Sequence, residues 1–251
     1  MINRKRSNFI DHSWVLSENP FSSNNIFSSK KKIKIKISPH ITYANSQYIM
    51  HELKKDHVFI TCINPIGHII KNKLENTMRT NSFIVEESYN LSEVNTWLQL
   101  WDMDVEMVEY RDNILKYLSA NDCYVSLAWY IDKIRQIKKD DFDKIEAVKI
   151  ILKEAVRNNN YDIIQYIAVE FGNDFSYLSN DSSIIESICA LAAMQNVNKD
   201  YCIKTIQYLD NYKFFSGILY PDRMLKMISI LFKEMGHKKC SDIINKYLHN
   251  N

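Results

Sequence analysis

His51, Glu52 and His57 stand in the segment HELKKDH, where side chains able to hold a metal come closest together along the chain. A zinc-protease helix needs its second histidine four residues after the first, so that both imidazoles leave one face. Here the separation is six, which places the two rings on different faces of a helix, and they read as surface histidines. His12, His40, His68, His237 and His249 have neither cysteine nor carboxylate at ligand spacing. Cys123 follows Asp122 with no histidine beside it to take its proton, so a catalytic thiolate has no support. The carboxylate pairs Glu86–Glu87 and Asp140–Asp141 read as solvated charge in links. The four glycines, at positions 67, 172, 217 and 236, are too dispersed to form a phosphate-cradling loop. There is no P-loop, dinucleotide fingerprint, GxSxG elbow or kinase signature. The chemistry therefore predicts a protein that is not an enzyme, with no metal and no cofactor.

Charge offers the next candidate. The net charge of +2 conceals an asymmetry: residues 1–80 hold 13 Lys/Arg against 5 Asp/Glu, and the remainder holds 19 against 25. Arg4, Lys5 and Arg6, with Lys30, Lys31, Lys32, Lys34 and Lys36, form a basic patch able to touch nucleic acid, an acidic partner or an import receptor. A solvated strand edge that resists strand-to-strand association accounts for the same lysines. The five cysteines (62, 123, 189, 202, 240) are odd in number and scattered through apolar helical patterns, which predicts buried free thiols in a reducing compartment. MINRKRSNFIDHSWVL lacks the apolar run of a signal peptide, and Val58–Ile70 is too short to span a bilayer. The expected setting is the cytoplasm, with the nucleus as an alternative and no membrane.

Three regions follow. Residues 1–29 read as an irregular arm in which Trp14 or Phe21 could dock on the body. Residues 30–90 read as a small basic α/β unit. In it KKKIKIKIS alternates at period two and is predicted as a strand ended by Pro39, Thr42–Asp56 as a helix, HVFITCI and HIIK as strands around a turn at Pro65, and SFIVE as a further strand. Residues 91–251 read as helical throughout, starting with a helix capped by Ser92 whose acidic face carries Asp102, Asp104, Glu106 and Glu109.

The helical part repeats itself. Second helices of successive pairs are predicted to start at Tyr124, Tyr161, Tyr201 and Ser241, spaced by 37, 40 and 40 residues. Such periodicity is the mark of stacked helical hairpins, none of which can bury its apolar stripe alone. The fold expected is mainly α, a helical-hairpin solenoid with a small α/β N-terminal unit. A non-repeating helical bundle is the alternative.

Over AVRNNNYDIIQYIAVEFGNDFSYLSNDSSIIESICALAAMQN the chain resembles the ankyrin repeat. The resemblance places an inner helix ending at the Asn corner, an outer helix DIIQYI, an exit at Phe171-Gly172-Asn173-Asp174, and small inner-helix residues at Leu191-Ala192-Ala193. Ser183-Ile184-Ile185-Glu186 stands where the family has Thr-Pro-Leu-His, and the period is near 39 rather than 33. The Asn-, Lys- and Ile-rich ankyrin proteins of large DNA viruses look similar, which would imply a viral protein engaging a host protein. In that family the links between repeats project toward partners, so Phe175, Tyr177, Tyr212, Phe214 and Phe215 are the expected partner-binding residues. The function expected is a non-catalytic protein–protein interaction module. The alternative is an electrostatic nucleic-acid binder using the basic N-terminal segment.

Overall fold

Alternating side chains and few breakers let Thr77–Asn90 run as one long strand, β5, around which the first half of the chain is paired. The computed structural model describes residues 13–18, 33–66, 69–72, 76–137, 143–172, 175–194, 197–219 and 221–248. They fall into two units, residues 1–114 and 115–251.

The first unit is built on an antiparallel five-stranded sheet: β1 (Ser13–Ser17), β2 (Ile33–Asn45), β3 (Phe59–Pro65), β4 (Ile69–Asn72) and β5, in the order β2-β1-β3-β5-β4. A further pairing joins β2 to β5, aligning Ile33 with Val85 and Ile35 with Phe83. Because β1 also pairs with β2 and with β3, these four strands close on one another, and closure hides sheet edges. Val15, Tyr43, Ile63 and Phe83 pack together with Met78 and Val85 against them. Trp97 is buried in helix α1 (Val94–Asp102), its indole N–H donating to the Leu91 carbonyl at 2.8 Å.

Several expectations are corrected here. The fold is mixed α/β and helix-rich, not mainly α: the N-terminal part is a paired sheet rather than a small appendage. The stretch predicted as an irregular arm contributes β1, and Trp14 lies fully buried in it. Pro39 does not end β2, because a register shift between Lys36 and Ile41 absorbs it. The helix expected over Thr42–Asp56 is replaced by the end of β2 and a single 3-10 turn, Ile49–Glu52. Helix α1 stops at Asp102. The acidic residues beyond it form a turn, not a helical face: Glu106 accepts the Val108 amide at 2.7 Å, and Asp104 takes a φ of 54°. Helix α2 (Arg111–Ala120) spans the boundary between units, so the break falls at 114 rather than 90.

The second unit continues with α3 (Tyr124–Ile137), α4 (Lys144–Arg157), α5 (Tyr161–Phe171), α6 (Ser182–Ala193), α7 (Lys199–Asn211), α8 (Pro221–Glu234) and α9 (Lys238–Asn245). Helix α4 packs on α5 and α6, and α6 packs on α8; α5 touches α3 and α7, α7 touches α9, and α8 pairs with α9. The helices thus stand in two rows, with Ile151, Leu152, Ile163, Ile164, Ile167 and Ile188 fully buried. Helix starts are set by side chains. Asp143 accepts the Glu146 amide at 3.0 Å, a capping pair with Glu146 three residues on. Asp181 accepts the Ser183 amide at 2.9 Å and also holds Lys149 of α4 at 2.9 Å. Burial works against ionising Asp181, yet the bonds from Ser183 and Lys149 hold its carboxyl below the ordinary carboxylate range.

Candidate functional site

The sharp corners between helices fix where this unit shows its tyrosines. Asp122 (φ 55°) and Asn159 (φ 61°) take the left-handed conformation that Asp and Asn tolerate, and each stands two residues before the tyrosine that opens α3 or α5. Asn198 caps α7 by accepting the Tyr201 amide at 3.3 Å. Tyr124, Tyr161 and Tyr201 therefore lie at corresponding ends of neighbouring helices in one row. Tyr124 meets Tyr166 edge-on at 5.2 Å, and Tyr161 meets Tyr201 at 4.9 Å. Tyr208 stacks on Tyr161 at 6.2 Å and on Tyr212 at 6.0 Å. Tyr124 and Tyr201 are each 44% exposed, and Val169 on the same row is 71% exposed.

Two open clefts indent this face. One, of about 490 Å³, is walled by the Asn158–Asn160 corner, Tyr161, Met194 and Tyr201. The other, of about 500 Å³, lies between α3 and α5 and is lined by Tyr124, Gln165, Tyr166 and Val169. Asp122 and Asp162 line both. Burial raises the Asp122 carboxyl above its ordinary range, and the neighbouring Asp162 charge raises it further. Lys204 rests over Tyr161, its ammonium 4.7 Å from the ring centre, a cation–π contact.

The expected partner-binding residues are placed differently. Phe175, Phe214 and Phe215 are buried, Tyr212 is half-buried against Phe175, and Tyr177 is 50% exposed. The three phenylalanines are core, not contact surface, because the links fold onto each other instead of projecting. The Phe175 amide donates to the Tyr212 carbonyl at 2.7 Å, and among the described residues each link carries a 3-10 turn (Ser176–Leu178, Phe215–Gly217) where the ankyrin resemblance implied a projecting segment. Of the basic patch, Arg4, Lys5, Arg6, Lys30, Lys31 and Lys32 lie outside the described residues. Lys34 and Lys36 lie on β2, where only the backbone is described.

The other chemistry-bearing groups have structural partners. His51 lies 5.8 Å from the Tyr110 ring, and His57 accepts the Lys54 amide at 3.0 Å, closing a turn. Glu86 and Glu87 belong to β5 rather than a link, with Glu87 accepting the Tyr89 hydroxyl at 2.6 Å. Cys202 and Cys240, 38 residues apart, are brought within 3.8 Å as a buried thiol pair between α7 and α9. The Cys123 thiol is buried, and that burial, with Asp122 beside it, pushes its pKa up to about 11.

That shift gives a pH dependence. A thiol at 9.0 when unfolded and about 11 when folded keeps its proton longer in the native state. Its contribution is complete below pH 9 and falls away as pH rises to 11, because the unfolded chain then binds fewer protons than the folded one. Tyr247, whose hydroxyl is buried against Asp210 and bonded to it, is pushed to about 12 and adds a decline between pH 10 and 12. Urea midpoints of the wild type should drop by the equivalent of about 1–3 kcal/mol between pH 8.5 and 11. Cys123→Ala should flatten the lower part of that fall, and an unchanged slope in the variant would assign the loss elsewhere.

Comparison with known proteins returned no matching family model, no matching curated protein and no matching solved structure. Among the described residues no helix is long and apolar enough to cross a membrane.

Proposed function

We propose that this chain is a non-catalytic interaction module that binds a partner protein through the tyrosine face of its second unit. The observation that supports this reading is the row of partly exposed tyrosines on α3, α5 and α7, held over a buried aliphatic core and interrupted by two open clefts. Tyrosine supplies large contact area with few rotatable bonds and a polar tip, the combination that concentrates binding energy at interfaces. The rings also brace one another, so little side-chain freedom is lost on binding.

Affinity capture with the full chain tests the reading. A Tyr124→Ala/Val169→Ser/Tyr201→Ala variant, with wild-type circular dichroism, should lose a partner that the wild type retains. Recovery of the same proteins by both would sink it.

A further inference from the structure

Helix α9 turns back against α7 and sets two sulfurs side by side. Cys202 stands near the start of α7 and Cys240 in the first turn of α9. Both are free thiols with 0% exposure, and their sulfurs lie 3.8 Å apart although the residues are 38 apart in sequence. A disulfide needs its sulfurs at about 2.05 Å, so the pair has less than about 2 Å left to close. Rotation of the two side chains and a slight approach of α9 supply that distance.

The contacts around the pair hold α9 in register with α7. The Tyr247 hydroxyl donates to one oxygen of the Asp210 carboxylate, and the Lys246 ammonium lies 3.7 Å from the other. Ser229 of α8 shares a hydrogen bond of 2.8 Å with Ser241, the neighbour of Cys240. An α9 that opens and closes again therefore brings the same two sulfurs together. Opening is within reach: α9 has 8 residues and packs mainly on α7 and α8, and short elements with few neighbours open at low free energy. It exposes the more reactive thiol first. Cys240 sits at the N-terminal end of its helix beside the exposed Lys238 and Lys239, and helix N-termini and ammonium groups both favour a thiolate.

We propose that Cys202 and Cys240 form a thiol–disulfide latch, in which a small-molecule disulfide such as oxidised glutathione joins the pair and pins α9 to α7, and excess thiol releases it. The Cys240 thiolate attacks one sulfur of the oxidant, forming a mixed disulfide and expelling one thiolate. When α9 closes, the Cys202 sulfur gives up its proton, attacks the Cys240 sulfur and expels the second thiolate. The two protein thiols lose two protons and two electrons, and the oxidant is reduced to two thiols. The new bond closes a long loop, which restricts the unfolded chain more than the folded one, and it suppresses the opening of α9. The latch goes beyond the interaction reading and does not depend on it: the bond forms or fails whether or not the tyrosine face holds a partner.

The test exposes the full folded chain to millimolar oxidised glutathione, followed by acid quench, alkylation and peptide mapping by mass spectrometry. The peptides holding Cys202 and Cys240 should be recovered joined, and dithiothreitol should return both thiols. In Cys202→Ala the reaction should stop at a glutathione adduct on Cys240. Amides of α9 should exchange at least about tenfold more slowly in the oxidised chain than in the reduced one, a gain absent from Cys202→Ala treated in the same way. The wild type reports the bond directly, so the outcome does not hang on whether the variant folds. Cys202 and Cys240 still free after treatment, a joined pair that appears only when urea is added, or a joined pair whose α9 exchanges as fast as in the reduced chain would each overturn the proposal.

Discussion

Replacing Trp14 with alanine lowers the stability of the first unit by about 3–5 kcal/mol, the cost of deleting a fully buried aromatic. A domain of this kind is stable by only about 5–15 kcal/mol in total, so most of the reserve goes. The reason lies in the position of β1. This strand of five residues pairs with β3 along its length and with β2 at Ser13 and Trp14. Trp14 is 0% exposed, packs 6.2 Å from the Tyr89 ring, and donates its indole N–H to the Ser46 hydroxyl at 3.0 Å. Without it the strand has little side-chain reason to stay between its neighbours, and the ring of strands opens. Hydrogen exchange on the full chain provides the measurement. Amides of β1 and β3 in Trp14→Ala should exchange about 150–4,000-fold faster than in the wild type, with Trp14→Phe in between because the ring stays and the N–H is lost. Wild-type protection in the alanine variant would show that β1 is held by its backbone bonds alone.

That a lone tryptophan in a polar stretch could be an anchor was legible in the sequence; that it sits on a strand was not. Strand pairing is a long-range property. β1 has five residues of its own, and its partners lie some thirty and forty-five residues away, so no local period marks it. The same blindness affected Thr42–Asp56, where Ala44, Tyr48, Ile49 and Leu53 make a helical stripe that β1 and β5 overrule by pairing with Ala44 and Tyr43. Strands β3 and β4 were readable because their β-branched runs are local signals, although Pro65, expected in a turn, instead ends β3 in register with Phe83. Helices α3 to α8 were readable for the same reason, their apolar stripes and caps lying within one turn of each other.

The candidate site was half legible. Tyr124 and Tyr161 begin their helices where the repeating pattern put them, and Tyr201 falls in the first turn of its helix. Asp122 and Asp162, which line one cleft, were not picked out: the step from Tyr124 to Tyr161 is 37 residues, so the position equivalent to Asp122 is Asn159, and Asp162 lies three residues beyond it. Positions one stacking step apart occupy equivalent places on adjacent elements. The same arithmetic explains the aromatic links. Phe175 and Phe214 stand 39 residues apart and are both fully buried. Their recurrence at the stacking period marked a packing position rather than a projecting contact.

Gly217→Ala tests how closely those links approach, and its expected cost is about 2–3 kcal/mol in the second unit. Gly217 does not need its freedom for the backbone, since its φ lies outside the left-handed region. In open space the substitution would stabilise by about 0.4–1 kcal/mol through the unfolded chain. There is no open space. A Cβ would lie 2.5 Å from the Ser176 carbonyl oxygen, 2.5 Å from the Ser179 hydroxyl and 2.9 Å from the Ser176 Cα. Ser179 could rotate, but the Ser176 atoms are backbone, so the two links must move apart. Moving them strains the Ser179 hydroxyl's bond to the Phe214 carbonyl, and the Asn180 side chain's bonds to the Gly217 carbonyl and Leu219 amide, both 2.9 Å. It also loosens Phe175, Phe214 and Phe215 beneath. Adding Ser179→Ala to Gly217→Ala should therefore restore little, because it removes the one obstacle that could already yield. Ser216→Ala, exposed and next in sequence, should stay within about 0.5 kcal/mol of wild type. If urea midpoints instead showed Gly217→Ala stabilised by the entropic increment alone, the links could not be packed as described. The phenylalanines would then return as candidates for the partner-binding surface.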